Sequence, residues 1–150
     1  MSGWQGIDPA KWAEKQQENL LKVFQRALVL LAREMIRTKG DGGTLPKVTG
    51  NLARSLLAQI GQRVTVSSAK DFAGADVGII AATAVLGDEV FLGYQAAYAR
   101  RMNSGFVGTD KAGRTYNQSG NHFVERAIIM WPQIVDQAVV DVRDGRGSDD

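Results

Sequence analysis

A chain of 150 residues with 44% hydrophobic and 23% charged residues has the composition of an ordinary folded domain, long enough to bury one core. Its formal net charge of +2 and pI near 9.0 are too mild to argue nucleic-acid binding from bulk charge, and the absence of cysteine excludes a disulfide framework, thiolate metal ligands and a cysteine nucleophile. No run reaches the roughly 18 consecutive apolar residues of a membrane span, and the N-terminus around Trp4, Asp8 and Lys11 lacks the basic start and apolar stretch of a signal peptide, so an intracellular setting is expected.

Asp8-Pro9 opens the first element. Asp8 can accept a hydrogen bond from the first turn, and Pro9 sits where its missing N–H costs nothing. Leu20, Phe24, Ala27, Leu28, Leu31 and Met35 recur at three- and four-residue steps and predict one helix over 8–38. Some 30 residues extend about 45 Å, longer than a domain of this size is wide, so the polar first half either projects toward a partner or folds back. Residues 39–49 contain three glycines and Pro46 and predict a flexible loop. No Gly-Lys-Ser/Thr ending and no preceding strand accompany those glycines, so they do not form a phosphate-binding loop.

Thr49 can cap a short helix that runs to about Ile60 with Leu52, Leu56 and Leu57 inward, and Gly61 is placed to stop it. The period then changes to two. Arg63–Ser67, Asp76–Thr83 and Val90–Tyr94 read as strands, the last two joined by a hairpin turn at Leu86–Glu89, and together they imply an antiparallel meander covered by helices. Gln95–Ser104 favours a short helix ended by Gly105. Gly105–Gly120 is a long aperiodic loop, in and just before which Arg100, Arg101, Lys111 and Arg114 outnumber Asp110, with Phe106 and Tyr116 interleaved. Such a segment suits a protein neighbour against which it orders, or a phosphate backbone. Asn121 is placed to cap the last helix, whose stripe is Phe123, Ala127, Trp131, Ile134, Val135, Ala138 and Val142, and Pro132 should kink or divide it.

These elements predict a single α+β domain over 1–150: the long helix, the loop, an α+β core over 50–142 and a disordered tail over 143–150. The core comprises a short second helix, a three- to four-stranded antiparallel sheet, a long loop and a C-terminal helix packed on the sheet. The residues of a catalytic site are missing. His122 is the sole histidine, no Gly-x-Ser-x-Gly or His-Glu-x-x-His motif occurs, and Asp71, Asp76, Asp88 and Glu89 read as solvated turn residues. No enzyme activity, cofactor or metal is expected.

Three stretches resemble the tail-completion or head–tail joining proteins of long-tailed bacteriophages, also described as minor tail or neck components. Pro46, Val48, Thr49, Gly50, Leu52 and Ser55 are similar to the family's Pro-Val-x-Thr-Gly-x-Leu-x-x-Ser segment, with Lys47 inserted after Pro46. Tyr98-Ala99 followed by Gly105 resembles its Tyr-Ala-x-x-x-Glu-x-Gly segment, with Asn103 in the acidic position and Ser104 in place of an aromatic. Phe123, Ala127 and Ile128 are similar to the Phe-Leu-x-x-Ala-Leu that opens the last helix, with His122 where a proline is common.

The resemblance spans roughly Leu45 to Val142. It implies a virion subunit made in the bacterial host cytoplasm that assembles with its own copies into a ring, a hexamer in the family's usual symmetry. That ring connects a tail tube or terminator protein to a head connector or stopper protein around the DNA channel, with transient contact to passing DNA and none to a membrane. Candidate partner contacts are Lys39, Lys47, Arg100, Arg101, Phe106, Lys111, Arg114 and Tyr116. A tail terminator or other neck ring is the nearest alternative, and a nucleic-acid-binding module using the basic 100–116 segment is an alternative of another class.

Overall fold

The computed structural model describes residues 6, 8–47, 49–109 and 111–145. Trp4, Val48, Asp110 and most of the expected tail lie outside the described residues. The fold is α+β. Helix α1 (Pro9–Met35), a 3-10 turn (Lys39–Asp41) and α2 (Asn51–Arg54) lead into strand β1 (Leu56–Ile60). Helix α3 (Val77–Thr83), strand β2 (Val90–Tyr94) and helix α4 (Ala99–Ser104) follow. The chain closes with strands β3 (Gly105–Thr109) and β4 (Thr115–Ser119) and helices α5 (Phe123–Ile129) and α6 (Trp131–Arg143).

Helix α1 starts as its sequence directs: Asp8 Oδ1 accepts from the Ala10 N–H at 3.0 Å, with Pro9 in the first turn. Its 27 residues extend about 40 Å. Of the two alternatives, the unbroken projecting helix is the one observed, because every residue from Pro9 to Leu20 except Asn19 is exposed. Leu20, assigned to the apolar stripe, is therefore outside the core, at 59% exposure. Burial begins at Arg26, and from there α1 is the spine on which the other elements pack. Ala27 meets Ile134 and Ala138 of α6, Leu28 meets Ala81 and Ala84 at α3, and Ala32 and Met35 meet Leu56 of β1 and Ala127 of α5.

The strand assignments need correction in four places. The helix expected to reach Ile60 ends after one turn: Ser55 is fully buried, its hydroxyl donates to the Leu52 carbonyl at 2.7 Å, and the chain then becomes β1. Leu52 and Leu56 are both buried, but on different elements, since a four-residue spacing also fits a turn followed by a strand. Residues 76–83 form helix α3 instead of a strand. Asp76 Oδ1 accepts from the Gly78 N–H at 2.8 Å, and Val77, Ala81 and Ala84 follow a helical period that a β reading of Val77, Ile79 and Ile80 overlooks. Residues 63–67 form no ladder. Val66 is exposed, while Ser67 N–H donates to the Gln95 carbonyl at 2.9 Å beside β2.

The fourth correction concerns the expected loop at 105–120, which is the β3–β4 hairpin. Among the described residues the β structure is thus two two-stranded antiparallel sheets rather than one of three or four strands. β1 pairs with β2 from Leu56↔Tyr94 to Ile60↔Val90, and β3 with β4 from Gly105↔Ser119 to Thr109↔Thr115. Gly105, at φ +86, and Gly120 cross so closely that a Cβ on Gly105 would sit 2.6 Å from the Gln118 carbonyl oxygen. The Leu86–Glu89 turn joins α3 to β2, with Asp88 accepting from the Val85 N–H.

Pro132 divides the closing helix into α5 and α6 as expected. The break turns Trp131 outward, to 37% exposure, and Met130 takes its place beside Ala27, Ile134 and Ala138.

One side chain joins three of these elements. The Tyr94 hydroxyl donates to the Met35 carbonyl at 2.6 Å, satisfying an acceptor that the last turn of α1 leaves open. Its ring meets Phe123 edge-on, centroids 5.1 Å apart. Burial pushes the Tyr94 hydroxyl well above the ordinary tyrosine range.

Two outcomes are expected. Leu56→Ala should cost about 2–5 kcal/mol in urea denaturation, and a loss under about 0.5 kcal/mol would place this side chain outside the core. Because Tyr94 resists ionisation only when folded, its stabilising contribution is complete below the unfolded tyrosine pKa of about 10 and is lost as pH rises toward the higher folded value. Tyr94→Phe should cost about 1–3 kcal/mol at neutral pH and flatten the fall in stability above about pH 10. Parallel curves for the two proteins would contradict this role.

Candidate functional site

The three segments that carry the family resemblance meet at one junction. Leu52, Ala99 and Phe123, one from each segment, share a buried cluster with Leu45 and Ala96. The Thr49 hydroxyl accepts from the Asn51 N–H at 3.3 Å, and Gly50 adopts the left-handed φ of +80° that turns the chain into α2. Pro46, Thr49 and Leu52 line one small cavity with Tyr98. Ala127 packs one layer away against Leu56. Leu45 is almost fully buried and Thr38 bridges to it. Arg37 Nε donates to the Asp41 carbonyl at 2.8 Å and the Thr38 hydroxyl to Asp41 Oδ2 at 3.0 Å, so the segment read as a flexible loop is a hydrogen-bonded turn pinned by its leucine.

Two asparagines absent from the candidate residues organise this junction. Asn51 is buried. Its Nδ2 donates to the Lys70 carbonyl at 3.0 Å and the Tyr98 hydroxyl at 3.2 Å, while its Oδ1 accepts from the Phe72 N–H at 2.8 Å, drawing the irregular 70–72 segment onto α2. Asn103 performs the capping expected of Asn121. Asn103 Oδ1 accepts from the Val124 N–H at 2.9 Å, and its Nδ2 donates to Glu125 Oε1 at 3.0 Å. Asn121 instead donates to the Met102 carbonyl. His122, at the start of α5, has φ +52 and supplies no side-chain cap, so the cap comes from α4, some twenty residues earlier.

The candidate contact residues divide into separate groups. The Arg101 guanidinium lies 4.1 Å from the centroid of the Phe106 ring, and Phe106 and Tyr116 stand 6.0 Å apart across β3 and β4. This places a cation on the Phe106 ring, which in turn neighbours Tyr116, and such a cation–ring contact is worth roughly 0.5–1 kcal/mol at an exposed site. Arg100 is exposed on α4, and Lys111 and Arg114 are exposed in the turn between the strands. Lys39 and Lys47 are exposed on the pinned 39–47 segment, in a different part of the chain.

Further surface features accompany them. Between α1, α2 and α3 lies a groove of about 600 Å³, lined by Val29, Ile36, Leu56, Val77 and Ile79 with Arg33, Arg54 and Asp76. Ile128 and Ile129 at the end of α5 are 65% and 77% exposed. Among the described residues no three His, Asp or Glu side chains group as a metal site requires, and no helix is long and apolar enough to cross a membrane.

The dependence of α5 on a distant cap makes Asn103→Ala informative. It should destabilise the fold by about 1–3 kcal/mol and raise hydrogen exchange at the Val124 amide; unchanged protection there would show that water replaces the cap. Comparison with family models, with curated proteins and with solved structures finds no match for this chain.

Proposed function

We propose that this chain is a structural virion protein of a tailed phage, a ring-forming tail-completion or head–tail joining subunit that links the tail tube to the head connector around the DNA channel. The observation that carries this reading is the convergence of Leu52, Ala99 and Phe123 in one buried cluster. The three segments thereby contribute to one core, as the segments of a single family motif set are expected to do. Surface chemistry lends further support. Trp12 and Leu20 on α1, and Ile128 and Ile129 on α5, are large apolar side chains exposed on separate elements, as a subunit needs when one face must match a different face of its neighbour.

A tail terminator is the nearest rival within phage structure. Particles assembled without this protein discriminate the two: normal tails that fail to join filled heads are expected for a joining protein, and overlong tails would favour a terminator. The Arg101, Phe106 and Tyr116 cluster supports, as a second reading, a nucleic-acid-binding module. Filter binding across a salt series decides it, since affinity carried by phosphate contacts falls steeply with ionic strength. Strong salt-dependent DNA binding that charge reversal at Arg101 and Arg114 abolishes, with assembly left intact, would make joining the secondary role.

A further inference from the structure

The two strands of the β3–β4 hairpin carry no charge, proline or bulge that would keep their edges from pairing. Natural edge strands are blunted by charged side chains, proline, bulges or a covering segment. The ten residues of these strands, Gly-Phe-Val-Gly-Thr and Thr-Tyr-Asn-Gln-Ser, include no charged residue and no proline. Their register runs without a bulge from Gly105↔Ser119 to Thr109↔Thr115. The β1–β2 sheet differs, because Ser67 bonds at Gln95 and Val64 packs over Gly93 on the β2 side. Among the described residues no third strand joins β3 and β4, and all of β4 is exposed. A two-stranded hairpin with so little support is marginal in water.

We propose that β4 of one subunit pairs antiparallel with β3 of the next, so that the hairpins of successive copies form one continuous sheet around the ring. The inference rests on the ring reading above and specifies which edges meet. A second copy is the occupant that fits both edges at once. β3 and β4 have equal length and opposite direction, so a copy rotated about an axis along the strands presents its β3 antiparallel to the first copy's β4. Each junction then repeats the one before, and the last closes on the first, as a head-to-tail ring requires. An unrelated peptide would cover one edge and leave the other open. Charge is compatible with self-pairing: Lys111 and Arg114 lie in the turn and Arg101 on α4, so the new ladder brings only neutral residues together.

The cysteine-free chain allows a direct test. Val107→Cys and Asn117→Cys are made as separate proteins, mixed before concentration and mildly oxidised, with Thr83→Cys on α3 as the remote control. Thr115→Cys and Ser119→Cys repeat the experiment two residues to either side. Adjacent strands lie about 4.8 Å apart and like strands of neighbouring hairpins about twice that, so a mixture should yield at least ten-fold more disulfide-linked dimer than either protein alone. Thr109→Cys with Thr115→Cys replaces any pair that fails to fold. Native mass spectrometry reads assembly independently. Oligomers without cross-links at any hairpin pair would overturn the strand pairing and leave the ring reading standing. Equal cross-linking of Val107→Cys alone would overturn the head-to-tail order. A chain that neither assembles nor cross-links would overturn both.

Discussion

Tyr94 is the point through which the packed part of the molecule is tied together. It is the last residue of β2, its hydroxyl closes the end of α1 at Met35, and its ring packs on Phe123 at the start of α5. It also borders both the cluster of Leu52 and Phe123 and the cluster of Met35 and Leu56. A side chain that is largely hydrocarbon with one polar tip suits this place. The ring contributes burial, and the hydroxyl donates to the Met35 carbonyl that the helix end leaves open. An apolar residue of the same size would leave the Met35 carbonyl without this donor, and a smaller polar one would open a gap between α5 and the sheet.

The opposite face of α1 is governed by a buried ion pair. Arg26 Nε and Asp141 Oδ2 are 2.8 Å apart with side chains about 95% buried, and Gln137 donates to the second carboxylate oxygen. Such a pair contributes little net stability beyond what apolar residues of the same shape would supply, but separating its partners is costly. Its effect here is on register. A slip of α6 by one turn along α1 would separate Arg26 from Asp141, a penalty that the apolar contacts of Ala27, Ile134 and Ala138 do not carry. Arg126, which reaches Glu34 Oε1 at 2.6 Å, does the same for α5 at the more exposed end.

Where reading the residues in order failed, the cause was ambiguity of period or distance along the chain. Val77, Ile79 and Ile80 suit a strand, while Val77, Ala81 and Ala84 suit a helix, and the presence of α1 as a packing surface selects the helix. Leu52 and Leu56 are four apart, yet the pairing of Leu56 with Tyr94 across the sheet draws the second leucine into β1. The hairpin at 105–120 was illegible because its strands carry Gly105, Gly108 and a polar run at 115–119, so hydrophobic alternation, the usual sign of a strand, is missing. Asn103 could not be recognised as the cap of α5 because its partner amide lies about twenty residues away.

The sequence by itself determined what rests on neighbouring residues: Asp8-Pro9 starts α1, Thr49-Gly50 sets the turn into α2, and Pro132 divides the closing helix. Each acts through a hydrogen bond or steric clash within a few residues, so no other part of the chain is needed to predict it. The tertiary structure alone decided which short apolar segments became strands, that two small sheets form in place of one, and that Asn51, Asn103, Arg26 and Asp141 hold distant elements in place. Those outcomes depend on burial and on partners many residues apart, and a backbone with two nearly equivalent local choices adopts the one that its contacts across the fold make lower in free energy.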